Sequence, residues 1–144
     1  MHSIKGLLEK LIRFESISPF DAGCQDFMID FFQQKGFVCQ RFDKPPVANF
    51  FARFGTTAPL LIFAGHSDVV PVGETSKWQS SPFTLQEKKG MLYGRGSADM
   101  KGSLAAMMAM AADFIENHPT FKGSLGFLIT SGEEGDDYAH GTPH

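Results

Sequence analysis

The amino-acid sequence predicts an α/β fold: a mixed sheet with helices on both faces. Three observations carry that expectation. Two apolar stripes at helical spacing open the chain, continuous apolar runs follow at Leu60 to Ala64 and Leu125 to Thr130, and an almost wholly apolar stretch from Lys101 to about Asn117 separates those runs. In order, the elements read helix, helix, strand, strand, strand, hairpin, helix, strand, a layered arrangement of helices on a sheet. At 144 residues the chain is long enough for one domain with a sizeable core, and no linker, repeat or low-complexity tract divides it.

Ile4, Leu7, Leu8, Leu11 and Ile12 share one helical face, so a helix is expected from Ser3 to about Glu15, with Ser3 as its N-cap. Cys24, Phe27, Met28, Phe31 and Phe32 make a second stripe, which Gly36 terminates. Phe37 to Phe42 and Val47 to Phe54 read as strands joined across Asp43 to Pro46. Leu60 to Ala64 shows no alternation, the pattern of a strand covered on both faces. A loop around Trp78 then precedes a short hairpin, Phe83 to Tyr93, that turns near Lys88 to Gly90. The stretch from Lys101 is apolar nearly all round and is therefore expected to be buried, its alanines permitting close packing on a sheet.

A formal charge of -3 without a basic patch argues against a nucleic-acid partner. Lys5, Glu9 and Lys10 interrupt the N-terminal apolar pattern, which is neither a signal peptide nor a membrane span, so a cytoplasmic location is expected. Cys24 and Cys39 lack the spacing of a disulfide or zinc framework and read as buried free thiols. His2, His118, His140 and His144 have no partner at ligand spacing and read as solvated.

The chemistry concentrates where apolar runs end. His66 and Asp68 follow the run from Leu60, and an extended backbone would place both on one face. That pair fits either a capped loop with a solvated histidine or a metal ligand whose second ring nitrogen is held by a carboxylate. Glu133 and Glu134 follow the run from Leu125. Extended, they would diverge, one free to bind metal and the other to accept a proton from water; a solvated acidic loop is the alternative. In open α/β sheets ligands gather beyond the carboxyl ends of strands, where both groups fall. Asp99 arrives through Gly94-Arg95-Gly96, a glycine-rich path whose sixth position is not glycine and which no buried strand precedes, so a dinucleotide site is excluded. Arg95 is expected to anchor that loop. No G-x-S-x-G elbow supports a serine hydrolase.

Gly65-His66-Ser67-Asp68-Val69-Val70-Pro71, Trp78 with Pro82-Phe83, Tyr93-Gly94-Arg95-Gly96 through Asp99-Met100-Lys101-Gly102, and Ser131 to Gly135 resemble the successive motifs of the M20 co-catalytic zinc hydrolases. Ser18 to Gln25, Asn49-Phe50 and Lys101 to Met107 narrow the resemblance to a branch acting on small molecules in bacterial amino-acid biosynthesis. The resemblance implies a zinc-peptidase-like three-layer sandwich and an amide hydrolase with two zinc, or cobalt, ions. It implies His66, Asp99 and Glu134 as metal ligands, Asp99 bridging, with Glu133 as general acid/base and Asp68 orienting His66. It also implies a cis peptide after Asp99 and a homodimeric whole protein. Ser67 and Gly132 depart from the usual threonine and aspartate. Family members are longer, so residues 1–144 are expected to be the N-terminal portion of a catalytic domain, without the dimerisation domain, the later ligands or, alone, activity. The alternatives are another deacylase or peptidase of the family, or a non-catalytic metal-binding or interaction module.

Overall fold

The computed structural model describes residues 3–135 and His140. Helix α1 (Ile4–Ile12) begins where Ser3 accepts the Gly6 N–H at 3.1 Å, and it buries Leu7, Leu8, Leu11 and Ile12 of the expected face, while Ile4 in its first turn stays exposed. Helix α2 (Cys24–Gln34) ends before Gly36, whose φ of 84° lies in the left-handed region open to glycine. Strands β1 (Val38–Arg41), β2 (Asn49–Phe54), β3 (Leu60–His66) and β6 (Ser124–Thr130) form one sheet in the order β1-β2-β6-β3. Its first two pairings are antiparallel and β3 runs parallel to β6, with His66 opposite Thr130. Helix α3 (Lys101–Asn117) connects the parallel pair. Strands β4 (Gln86–Lys88) and β5 (Met91–Tyr93) form a separate hairpin. Lys89 and Gly90 both have positive φ there, the geometry of a two-residue turn that matches strand twist.

The α/β class and the mixed sheet agree with the sequence. All three helices contribute to a single core against one sheet face, where Phe50, Ala52, Phe127 and Ile129 meet Leu11, Met28, Phe32, Leu104 and Met108. Phe32 lies 4.5 Å from Phe127 between ring centroids, close to the middle of that core. Phe51, Gly126 and Ile62 meet on the opposite face, and the second helical layer expected there is not among the described residues. Burial pushes the Cys24 thiol up to about 12, an inert core group. Cys39 is half-buried instead of buried, because it lies on the edge strand β1.

Two further expectations about burial fail. Strand β3 is a sheet edge, not a covered strand: Leu61 and Ile62 are 56% and 46% exposed. Helix α3 buries Leu104, Ala105, Met108, Ala109, Ala111 and Ala112, yet Met110 is 59% exposed, since α1 and β3 cover only part of its circumference.

Candidate metal centre

The parallel register of β3 and β6 brings the two sequence-predicted groups together. His66 closes β3 and is 4% exposed; beyond Thr130 the chain bends through Ser131 to Gly135 and returns Glu133 and Glu134 to it. His66, Glu133 and Glu134 each offer a ligand atom within 4.8 Å of the others. The two glutamates therefore converge, contrary to the divergence expected of an extended pair. Asp68 causes the bend: its carboxylate, fully buried, accepts the main-chain N–H groups of Glu134 at 3.0 Å and Glu133 at 3.2 Å. The sequence pointed to Asp68 only as a partner of His66, and nothing local to residue 68 indicates this second role.

His66 Nδ1 faces the main-chain oxygen of Asp68 at 3.0 Å and its carboxylate at 3.5 Å, so residue 68 orients the ring mainly through its carbonyl. The other nitrogen, Nε2, lies 3.1 Å from Asp99 Oδ1 and 3.7 Å from Glu133 Oε2. Burial alone would lower the pKa of His66. The Asp68 carboxylate and carbonyl, with Glu133, outweigh it and raise the value to about 9. Burial likewise opposes ionisation of Asp68, but the hydrogen bonds from His66, Glu134 and Glu133 hold its carboxyl below the usual range. Burial, then the neighbouring Asp99, Glu133 and Asp68 charges, push Glu134 up.

Asp99 reaches the site on the loop from Gly94. Arg95 anchors that loop as expected, its main-chain N–H donating to Pro82 O at 2.7 Å while its guanidinium lies 5.2 Å from the Trp78 ring. The Asp99–Met100 peptide is cis, and α3 begins directly after it. Among the remaining histidines, His118 caps α3 with its ring 4.8 Å from Phe114, and the carbonyl of His140 accepts from Asn49 at 3.0 Å; His2 and His144 lie outside the described residues. A cleft of about 770 Å³ between the hairpin and residues 77–80 contains none of these carboxylates.

The donor set fits a divalent cation. Among the described residues both His66 nitrogens face only acceptors, and four carboxylates surround one imidazole, an excess of negative charge that a proton on Nε2 offsets only in part. A cation at Nε2 would replace that proton, and imidazole with carboxylate oxygens is a donor combination that zinc accepts. No described helix is long and apolar enough to cross a membrane.

Fold and site together define an α/β chain that gathers one histidine and a group of carboxylates, a set able to hold a metal ion, beyond two parallel strands. The chain belongs to peptidase family M20/M25/M40, whose pattern matches residues 62–144. It is 62% identical over all 144 residues to a succinyl-diaminopimelate desuccinylase of Legionella pneumophila (strain Corby), and spans 38% of that protein's length. A desuccinylase of the same name from Janthinobacterium sp. (strain Marseille) is 51% identical over 135 residues, 94% of this chain and 36% of that one. Among solved structures, human carnosine dipeptidase 1 superposes with a TM-score of 0.78 at 25% identity, covering 88% of this chain and 31% of its own. An M20 family metallo-carboxypeptidase of Sulfolobus solfataricus shares the fold with a TM-score of 0.76 at 22% identity, covering 90% and 30%.

Proposed function

We propose that residues 1–144 are the N-terminal portion of the catalytic domain of a dinuclear zinc amidohydrolase. The whole protein, in this reading, cleaves N-succinyl-LL-2,6-diaminopimelate to succinate and LL-diaminopimelate. The observation that carries it is the convergence of His66, Asp99, Glu133 and Glu134 in a chain 62% identical throughout to a desuccinylase. The exposed apolar edge of β3 supports a continuation of the polypeptide that pairs with it and supplies the second helical layer and the remaining ligands. A cytoplasmic homodimer is the assembly proposed.

His66, Asp99 and Glu134 would hold the metals, and cobalt could substitute for zinc. When bound, zinc supplies Lewis-acid polarisation of the amide carbonyl and lowers the pKa of water. Glu133, exposed and with its Oε2 3.7 Å from His66 Nε2, would take a proton from the attacking water. The same carboxyl returns that proton to the departing amine nitrogen as the C–N bond breaks. Asp68 contributes by holding the His66 ring and the Glu133–Glu134 bend in register.

The test is to assay the whole protein against succinyl-diaminopimelate and acetylornithine. Selective cleavage of the succinyl substrate is expected. A preference for acetylornithine would move the protein to another branch of the family.

A further inference from the structure

Ser67 lies between the two residues that define one wall of the site, and its side chain takes part in neither role. It is completely buried, and its hydroxyl donates to Asp21 Oδ1 at 2.9 Å; Thr130 O, at 3.3 Å, is the longer alternative for the single proton. The same oxygen accepts from Gln25 Nε2 at 3.2 Å, and that amide also donates to Ala48 O at 2.9 Å. Gln25 is itself fully buried, and its main-chain N–H donates to the Asp21 carboxylate at 3.0 Å. Three residues thus close a ring of hydrogen bonds beneath His66 and Asp68.

The segment containing Asp21 and Gln25 grips both arms of the site. Ser16 Oγ donates to Ser67 O at 2.7 Å, Val69 N donates to Ser16 O at 2.8 Å, and Ser18 N donates to Val69 O at 3.0 Å. On the other arm, Ser131 Oγ donates to Pro19 O at 2.8 Å and accepts from Ala48 N at 2.9 Å. Residues 16–25 therefore fix residue 67 and residue 131, each adjacent to a segment that carries site groups.

We propose that Asp21, Gln25 and Ser67 are positioning residues for the metal centre, holding His66 in register with the Glu133–Glu134 bend through the Ser67 hydroxyl. The proposal rests on the reading of His66 as a metal ligand. It also accounts for Asp21 and Gln25 within the Ser18 to Gln25 motif, which support the metal site from behind. Buried hydrogen-bond networks behind metal ligands are coupled to affinity, because the ring orientation they impose sets the ligand geometry.

The test titrates cobalt(II) into the metal-free whole protein and follows the cobalt absorption bands, alongside thermal unfolding. Asp21→Ala and Ser67→Ala should each weaken cobalt binding by ~10 to 100-fold, the range for residues behind a ligand, and alter the bands. The double variant should lose less than the sum of the two single losses, since the Asp21–Ser67 hydrogen bond is common to both. Ser67→Thr, which keeps the hydroxyl, should restore affinity to within about threefold of the parent. Should Asp21→Ala fail to fold, Gln25→Met removes the amide at similar volume and carries the same expectation. Variants that melt lower but bind cobalt with parental affinity and spectrum would overturn the positioning role and leave a purely structural network. Strictly additive losses would overturn it too. His66→Ala separates the two readings: loss of cobalt there with none in the Asp21 and Ser67 variants defeats only the positioning role, whereas retention of cobalt in His66→Ala defeats the ligand assignment beneath it.

Discussion

The carboxylate of Asp68 accepts the main-chain N–H of Glu134 at 3.0 Å, across 66 positions of sequence. Through that bond a residue at the end of one strand sets the path of the chain after its parallel neighbour. Asp68→Ala removes the buried acceptor of Glu133 and Glu134 and the charge beside His66. The loss is expected to cost about 3 to 5 kcal/mol, typical when one partner of a buried pair is deleted. Urea denaturation of the metal-free protein measures it; a change below 1 kcal/mol, roughly the worth of an exposed ion pair, would show that the bend does not depend on Asp68.

The His66–Asp68 pair also gives the metal-free protein a defined pH response. His66 has its pKa raised from 6.5 to about 9, so its contribution to stability is complete below 6.5 and is lost as pH rises toward 9. Asp68 is lowered, so its contribution is present above 3.8 and is lost as pH falls. Stability from this pair should therefore be greatest between these limits and decline from neutral to alkaline pH. Urea midpoints collected from pH 5 to 9 should show that decline in the parent and not in His66→Gln.

Metal uptake should run the other way. A cation at Nε2 must displace the proton, so affinity should rise with pH until His66 is neutral, with proton release on binding. Calorimetry in buffers of different ionisation enthalpy counts those protons. An uptake independent of pH below 9 would remove His66 from the ligand set.

Gly96 carries the loop to Asp99 with φ of 81°, and a Cβ there would stand 2.6 Å from Val69 Cγ1. In Gly96→Ala the left-handed backbone costs about 1 to 2 kcal/mol, and the overlap adds about 1 to 3 kcal/mol. Thermal unfolding should show the loss, and cobalt spectra should show a disturbed Asp99. Parental stability in this variant would mean that the loop takes a different path.

Glu133→Ala in the whole protein should lower turnover by roughly 10² to 10⁴-fold, the usual contribution of a general base, while the metals stay bound. Amide-cleavage assays with metal analysis test both halves. Loss of zinc instead would exchange the roles of Glu133 and Glu134. Residues 1–144 alone should show no desuccinylase activity at any zinc concentration, because His66, Asp99 and Glu134, shared between two metals, would leave each zinc short of the three protein ligands usual at a catalytic site. Activity in that piece would contradict the proposed need for ligands from elsewhere in the polypeptide.

What could be read from the sequence was local or was carried by motif. The stripes of α1 and α2 apart from Ile4, the Ser3 cap, the turn near Lys88 to Gly90 and the element order depend on residues within a turn or two of one another, and the structure bears them out. The site motifs named His66, Asp68, Asp99, Glu133 and Glu134, all of which the tertiary structure brings to one end of the β3–β6 pair. Tertiary structure alone decided the rest. Strand β3 has the composition of a covered strand and the position of an edge, because the neighbours of a strand are chosen by chain topology and not by its own residues. The glutamates converge because Asp68 binds their N–H groups, and Ser67 meets Asp21 across 46 positions; no periodicity in the sequence spans such distances. A side chain's pattern in sequence records which face it needs buried, whereas its hydrogen-bond partner is fixed only when folding brings two distant backbones together.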